Sequence, residues 1–346
     1  MRKLARDQFN AMCAAMAKTY GVDSVSTEFA ASATIQQILM DQIVESIAFL
    51  KQINILAVDD MSGEKVLGSV STILGKRTDT DTTDRSTSDP LNLDGTLYHC
   101  KFTEYDVHMK WKTMDAWSKF PNLHEKFMEY SRLAQAHSRI RTGWLGITAA
   151  TVTDSVTYPL GEDTNIGWLQ HIRNFDGGSH MLAEGVAASG AIKMGEGAGA
   201  DYPNLDSFVQ DVKGMVSPLF RESSDLVAII GSELLGDDKA QLYAAQGSTP
   251  SEKERIELAT VTRTYAGLPA HQIPFFPARG LFITPFRNIS VYYQDGSIRQ
   301  NIEDNSKRSR VEHYNSVNEC YVVEDFEKVG AAESDNVQLW DGTGWS

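Results

Sequence analysis

Apolar residues recur at helical spacing near the start of the chain. The first periodic stretch predicts an amphipathic helix over residues 4–20, which Gly21 ends. A second stretch predicts a helix over residues 35–50, followed by a strand at 53–58. Residues 19–33 are small and polar with little to bury, so the leading segment is expected to be loosely docked or detachable. The apolar positions of the first helix are Leu4, Phe9, Met12, Cys13, Met16 and Tyr20.

A longer helix is predicted over residues 121–142. Pro121 fits its first turn, and the pattern ends near Gly143. One face is apolar, whereas the other carries charged residues that include Arg132 and Arg139. Shorter helices are predicted at 164–174, 205–216 and 232–246.

Short apolar or alternating runs predict the strands. A buried strand between two helices, in the stretch 205–246, indicates a mixed α+β core. The predicted strands cover residues 63–70, 97–102, 105–112, 226–231, 281–284, 289–293 and 321–323.

A long polar segment separates the first two of those strands after residue 58. Residues 76–85 consist almost entirely of Thr, Asp, Lys and Arg. Connections of this length are uncommon in compact domains and are usually functional or disordered. A polar arm with strand-like flanks can instead become ordered on a neighbouring subunit. The end of the chain, residues 329–346, is also polar apart from Leu339, Trp340 and Trp345, and is predicted to be flexible.

Composition and charge narrow the classes of protein. The chain has 346 residues, 42% of them hydrophobic, which is enough for a sizeable core. Its net charge of −14 disfavours direct reading of DNA or RNA. That charge is compatible with lying near packed nucleic acid without adhering to it.

Cysteine usage and the first residues indicate the compartment. Cys13, Cys100 and Cys320 are sparse, odd in number and part of no motif, so we expect reduced, half-buried apolar residues in a cytoplasmic setting. No apolar run approaches the ~18–20 residues of a membrane helix. Asp7 and Asn10 interrupt any signal-peptide core, so we expect a soluble protein made inside the cell.

Three partial motifs lack a residue that their chemistry needs. His124 begins a zinc-protease-like helix, but Met128 stands where the second histidine ligand is required. Residues 68–76 end like a phosphate loop, but the glycine spacing is too long and Arg77 replaces the hydroxyl residue. Residues 195–200 resemble a dinucleotide-binding turn only loosely, and a flexible loop is the favoured interpretation.

The remaining candidates are equally incomplete. Residues 178–180, Gly-Ser-His, lack the strand–turn–helix context of a serine nucleophile, and the eight histidines are scattered. The basic run at 307–310 is flanked by acidic residues, which leaves a local salt-bridge patch or pairing between subunits. The sequence therefore predicts no catalytic residue, no cofactor-binding residue and no metal ligand.

Short motifs stand in a fixed order along most of the chain. Residues 1–11 read MRKLARDQFNA, and the most specific motifs lie in the last third. In order and spacing they resemble the major capsid proteins of P2-like tailed phages, from the first residues to about Lys328. The motifs are GEK at 63–65, GWLQ at 167–170, DLV at 225–227, GLPA at 267–270, PFFPA at 274–278, NISVYYQD at 288–295, IEDN at 302–305 and YVVED at 321–325.

The resemblance implies an α+β fold of the HK97 capsid type, with an N-arm, an extended β-hairpin loop, a peripheral domain bearing a long spine helix, and an axial domain. The helix at 121–142 would be the spine helix. The implied boundaries are 1–30 for a scaffold-contacting segment that is possibly cleaved, 31–62 for the N-arm, 63–105 for the extended loop, 106–199 for the peripheral domain, 200–285 for the axial domain, 286–328 for strands returning through both domains, and 329–346 for the flexible tail.

The resemblance also implies a structural role without enzymatic activity. Such proteins assemble into pentamers and hexamers of an icosahedral shell that encloses the double-stranded DNA genome. The implied partners are other copies of the chain, an internal scaffolding protein, a prohead protease, a portal protein at one vertex and packaged DNA contacted non-specifically, with no membrane. The stretch 29–33 is the expected cleavage region. Assembly in the bacterial host cytoplasm, followed by residence in the virion, is the implied location.

Two rival hypotheses remain. A soluble cytoplasmic α/β nucleotide-dependent enzyme would need a site around residues 195–231, with an acid/base pair or a phosphate loop that the sequence does not display. The other hypothesis is a scaffold or decoration protein of a virion. Scaffolds tend to be long and helical, whereas this chain has substantial predicted strand content.

Overall fold

The computed structural model describes residues 2–30, 33–69, 77–79, 81–82, 84, 92–117, 123–186, 189–246 and 264–346. Helices and strands are both present and occur largely in separate runs along these ranges, in agreement with the α+β prediction. The helices are α1 (Lys3–Tyr20), α2 (Ala33–Glu45), α3 (Trp111–Trp117), α4 (Leu123–Leu145), α5 (Trp168–Asn174), α6 (Leu205–Met215) and α7 (Ser232–Gln246). The first nine strands are β1 (Phe29–Ala30), β2 (Asn54–Val58), β3 (Ser62–Ser69), β4 (Asn92–His99), β5 (Lys101–Glu104), β6 (Val107–Lys110), β7 (Met181–Leu182), β8 (Ile192–Met194) and β9 (Val227–Ile230). The remaining strands are β10 (Thr264–Tyr265), β11 (Leu268–His271), β12 (Leu281–Thr284), β13 (Ile289–Gln294), β14 (Arg299–Asn305), β15 (Arg310–Val323), β16 (Gly330–Ala332) and β17 (Val337–Leu339).

The long strand β15 organises the larger sheet. The sheet runs β1-β14-β15-β13-β2, and β5 and β6 also pair with β15. The first half of β15 lies between β14 and β6, and its second half lies between β13 and β5. The sequence predicts only residues 321–323 of this strand. The preceding residues, 310–320, are mostly polar and include too few apolar side chains to indicate a buried strand.

A second sheet runs β10-β11-β9-β12-β16-β7 and separates two cores. Alternate residues of β9 face opposite sides, as strand geometry requires. Ile229 packs with the larger sheet and α4, whereas Ile230 packs with α6. The apolar face of α6 is formed by Leu205, Phe208, Val209 and Val212.

The helix α4 buries one stripe against the core between the sheets. Ala136, Ile140 and Trp144 are spaced four residues apart and are fully or almost fully buried. Trp144 lies edge-on to Trp168 of α5, with ring centroids 4.9 Å apart. Gly143 allows this approach, because an added Cβ would lie 2.3 Å from the Trp168 ring. The predicted helix at 121–142 is therefore present as Leu123–Leu145, and Pro121 lies outside the described residues.

Several predicted elements differ from the structure in their bounds, among them the strand predicted at 105–112, which is present as Val107–Lys110 and gives way to α3 at Trp111, and the helix predicted at 164–174, which is present as Trp168–Asn174. Helix α2 ends at Glu45, and Phe49 and Leu50 are buried in a turn, because helical spacing alone does not distinguish a buried turn from a continued helix. The tail at 329–346, expected to be flexible, instead contributes β16 to the second sheet and β17 to a small sheet with β8. Ala331 and Val337 are buried there, so the few apolar residues of this segment are sufficient to dock it.

Candidate interaction surfaces

The strands β3 and β4 form a hairpin that is separate from both larger sheets. They pair residue by residue from Ser62 opposite His99 to Ser69 opposite Asn92. Isolated two-stranded hairpins are at best marginally stable in water. Most of residues 70–91 lies outside the described residues, and of the predicted polar run at 76–85 the structure describes 77–79, 81–82 and 84.

Contacts near its base hold the hairpin to the larger sheet. Lys65 Nζ lies 2.5 Å from Glu324 Oε2. The Tyr98 ring meets Tyr292 edge-on, with centroids 5.4 Å apart. On the outer side, Leu97 is 78% exposed. The predicted strand at 97–102 is thus divided, because β4 belongs to the hairpin and β5 belongs to the larger sheet.

Two of the three cysteines meet at this junction. Cys100 and Cys320 are buried with their sulfur atoms 3.4 Å apart. The hydrogen bond that the thiols share lowers the pKa of Cys100 and raises that of Cys320. Sequence reasoning treated them as unrelated, because only the pairing of β5 with β15 brings the two positions together.

The leading segment is docked on the end of the larger sheet. The apolar face of α1, including Phe9 and Met12, packs in one cluster with Ile302 and Val311. Beyond α1, β1 pairs with the edge strand β14, and the Ile302 amide donates to the Val25 carbonyl at 2.8 Å. The helix predicted at 4–20 is present and ends at Gly21, which has φ +66°. In this structure the segment lies on its own subunit.

A buried ion pair lies behind this segment. Arg139 Nε donates to Glu319 Oε2 at 2.8 Å, and both side chains are almost completely buried. The Tyr105 hydroxyl donates to the same carboxylate, and the guanidinium of Arg139 lies 4.6 Å from the centre of the Tyr105 ring. Burial, with the neighbouring Glu319 carboxylate, raises the pKa of Tyr105 well above its usual value.

A cavity of about 30 Å³, lined by both apolar and polar side chains, adjoins the ion pair between α2, α4 and the larger sheet. It has room for about two water molecules. His313 lies in its wall, and neither ring nitrogen has a protein partner. Burial lowers the pKa of His313 to about 4. Other buried polar atoms of the wall without a protein partner are Ser131 Oγ, Arg139 Nη1, Gln300 Oε1 and Asn315 Oδ1.

The glycine-rich turn at 195–200 is a packing site for the end of the chain. A Cβ added to Gly195 would lie 2.6 Å from Trp340, and one added to Gly197 would lie 2.4 Å from the ring of Trp340. Trp340 also packs against Trp345, with centroids 5.2 Å apart. The two glycines therefore permit close contact with a tryptophan.

A pocket lies after this turn in the chain, at the end of β9. Its volume is about 380 Å³, and it is lined by Ile230, Gly231, Ser232 and residues 272–276, none of which titrates near neutral pH. Within the described ranges, no cluster of three His, Cys, Asp or Glu side chains could hold a metal ion. Of the helices that are described, none is long and apolar enough to cross a membrane. Met128 stands where a zinc-protease helix would carry its second histidine, and its side chain packs beside the α1 cluster.

The basic run at 307–310 forms the turn between β14 and β15. Arg310 Nε lies 2.5 Å from Glu312 Oε1, so part of the run forms a local ion pair. Hydrogen bonds from Tyr314 and Asn305, together with Arg310, lower the pKa of Glu312 to about 2. The structure thus places one basic residue of the run in the local patch.

Comparisons with known proteins agree over almost the whole chain. Residues 8–335 match the model of the family described as phage major capsid protein, P2 family. The chain is 33% identical over 335 residues to the capsid proteins of Escherichia phage P2, covering 94% of this chain and 93% of that protein. It is 29% identical to the major capsid protein of Serratia phage KSP20, covering 95% and 96%. A chain from the satellite phage P4 procapsid, solved with the size determination protein Sid, is 32% identical, with a TM-score of 0.76 and 99% of each chain covered.

Proposed function

The chain belongs to the P2 family of phage major capsid proteins, and from this premise we propose how its parts serve assembly. It is a major capsid protein of a tailed phage with the HK97-like capsid fold, and copies of it form the virion shell. The match from residue 8 to residue 335 carries this conclusion, because it spans both sheets and the long helix. The enzyme hypothesis has no support.

The hairpin and the polar segment beyond it act as the extended loop at 63–105, lying over a neighbouring subunit. Support comes from the separation of β3 and β4 from both larger sheets and from the exposure of Leu97. Because β5 pairs with β15, residues 101–104 act as the fixed base of that loop. The other implied boundaries, 31–62, 106–199, 200–285 and 286–328, describe the N-arm, the peripheral and axial domains and the returning strands.

Residues 1–30 contact an internal scaffolding protein, and a prohead protease then removes them. The stretch 29–33 is the proposed cleavage region; it spans β1, and Ala31 and Ser32 lie outside the described residues. N-terminal sequencing of mature particles tests this step. A new amino terminus near residue 30 is expected, and an intact Met1 would contradict it.

Further partners follow from the same proposal. Copies of the chain form pentamers and hexamers, a portal protein occupies one vertex, and packaged double-stranded DNA is contacted without sequence preference. A net charge of −14 supports weak contact with DNA, because like charges repel. Assembly takes place in the host cytoplasm. The role is structural, and the chain carries no enzymatic activity of its own.

Shell formation is tested by expressing the chain with and without its scaffolding protein, followed by negative-stain microscopy. Closed shells of uniform size are the expected result with the scaffold. A small oligomer of a single size under all conditions would contradict the proposal. Mixing the chain with a scaffold that lacks its subunit-binding end gives the control for non-specific aggregation.

A further inference from the structure

Cys100 and Cys320 lie side by side where the hairpin joins the larger sheet. Their sulfur atoms are 3.4 Å apart, both thiols are free, and Tyr292 and Val322 pack around them. We propose that this pair is an oxidation site, at which a disulfide bond forms and fixes the base of the hairpin to β15. The bond is a property of the single chain and does not depend on the proposed assembly partners.

Strand register makes the bond geometrically accessible. Lys101 lies opposite Glu319 in the antiparallel pair of β5 and β15, so the next position places Cys100 opposite Cys320. Directly opposed residues of such strands have Cα atoms about 4.5–5.5 Å apart, and disulfides span about 4.4–6.8 Å. The sulfur atoms need to approach by roughly 1.4 Å to reach the bond length of about 2.0 Å. Side-chain rotation with little movement of the strands can supply this.

The oxidant is a peroxide. The Cys100 thiolate attacks one oxygen of hydrogen peroxide, the O–O bond breaks, and the leaving hydroxide takes up a proton to give water. Cys100 is then a sulfenic acid. The Cys320 sulfur attacks it, the S–O bond breaks, and the departing hydroxide leaves as water with the Cys320 proton. Two thiols lose two electrons in total, and one peroxide is reduced to two waters.

The roles of the two sulfurs follow from their shared hydrogen bond. That bond lowers the pKa of Cys100 and raises the pKa of Cys320. These directions favour Cys100 as the thiol that attacks the oxidant, because the thiolate is the nucleophile. Cys320 acts second, as the thiol that resolves the sulfenic acid.

Access to the buried pair requires local opening of the hairpin base. The Cys100 amide donates to the carbonyl of Met61, the residue just before β3, at 2.8 Å. A two-stranded hairpin opens more readily than a strand in the middle of a sheet. Once formed, the bond closes a loop of about 220 residues, from Cys100 to Cys320, and limits that opening.

The test uses the purified full-length chain with Cys13→Ser, so that only the proposed pair remains. Hydrogen peroxide is added, and free thiols are counted after denaturation. We expect both thiols to be lost, one crosslinked peptide pair containing Cys100 and Cys320, recovery with dithiothreitol, and slower proteolysis of the hairpin before that recovery. The matched control, Cys13→Ser with Cys320→Ser, should give no intrachain crosslink and no change in proteolysis.

Peptide mapping of the unsubstituted chain gives a second measurement that does not depend on the folding of any variant. The same crosslinked pair is expected there. Free Cys100 and Cys320 thiols after peroxide treatment would overturn the proposal, as would crosslinks between chains or oxidation to sulfinic acid without a crosslink. Because the measurement is made before assembly, failure of shell formation cannot be mistaken for failure of the bond.

Discussion

Arg139 and Glu319 form an ion pair inside the molecule. Replacing one partner leaves the other charge buried without compensation, so we expect Arg139→Met to lower the free energy of unfolding by about 3–5 kcal/mol. Replacing both, Arg139→Met with Glu319→Leu, should recover a large part of that loss. Urea unfolding measures both effects. The control is Arg173→Met, which breaks a partly exposed pair with Glu333 and should cost about 1 kcal/mol or less; an equal cost for the two single variants would contradict the prediction.

His313 gives the stability of the chain a defined dependence on pH. Its pKa of about 4 in the fold lies below the value of about 6.5 expected for the unfolded chain. The folded state therefore binds fewer protons, and stability that is present above pH 6.5 is lost as the pH falls towards 4, by up to about 3 kcal/mol. The charged side chains of the cavity wall around His313 are Arg132 and Arg139, and burial is the cause of its lowered pKa.

The measurement is the unfolding free energy between pH 7 and pH 4. His313→Gln should flatten its decline, whereas His108→Gln, at an exposed position in the neighbouring strand β6, should not. Parallel curves for His313→Gln and the unsubstituted chain would show that His313 does not titrate as described.

At the residue scale, the sequence predicts apolar positions better than polar ones. Helical spacing placed Ile140 on the buried face of α4, and the structure confirms it. The same spacing placed Arg139 on the charged face, yet Arg139 is 2% exposed. Its partner Glu319 is 180 positions away in β15, and only the tertiary fold brings the two charges together. The pair of Cys100 and Cys320 could not be predicted from the sequence for the same reason, since only the tertiary fold brings the two residues together.

At the element scale, helices with clear end signals were predicted closely. Gly21 ends α1 as expected, and α7 has the predicted bounds of 232–246. The strand β14 was missed, because its sequence RQNIEDN has one strongly apolar residue, Ile302, which is buried by α1 packing over it, while β1 pairs with its edge. Tertiary cover of this kind leaves no period-2 signal in the strand itself.

The docking of α1 predicts a clear difference between its two faces. Met16 is buried in the cluster with Ile302 and Val311, whereas Leu4 is 54% exposed on the same helix. We expect Met16→Asp to detach the leading segment, because an unpaired carboxylate in that cluster is costly. Faster proteolysis of residues 1–30 and stronger binding of a hydrophobic dye measure the detachment.

Leu4→Asp is the matched control, since the same substitution on the exposed face should change neither readout. If both variants behave like the unsubstituted chain, α1 is not held by its apolar face. The rest of the chain should stay folded in either variant, because the core between the sheets contains no residue of α1.

At the scale of the whole molecule, the end of the chain completes sheets that begin much earlier. β16 lies between β12 and β7, and β17 pairs with β8. The last residue is held by Arg279, which lies just before β12. Arg279 Nη1 donates to the Ser346 carbonyl at 2.7 Å. Composition indicated a flexible tail because polar residues dominate it. Three buried residues of β16 and the packed pair of Trp340 and Trp345 are nevertheless enough to dock it on the fold.

Deleting the polar segment beyond the hairpin is expected to affect shell assembly but not the folding of the single chain. Deletion of residues 76–90, with β3 and β4 joined by a short Asn-Gly turn, should leave the unfolding free energy within about 1 kcal/mol of the unsubstituted chain. Both cores are built from residues outside the deleted range. Shell formation should nevertheless fail or give particles of lower heat stability, because a repeated contact between subunits is lost from every copy. Microscopy and heating of particles measure this outcome.

A second variant separates length from chemistry in the same segment. Replacing residues 76–90 with an equally long Gly/Ser sequence keeps the reach of the loop and removes its Asp, Lys and Arg side chains. If charge contacts between subunits stabilise the shell, this variant should resemble the deletion, and raising the salt concentration should weaken unsubstituted particles in the same way. If reach alone matters, it should assemble normally. Equally heat-stable particles from the deletion itself would show that the segment contributes no contact between subunits.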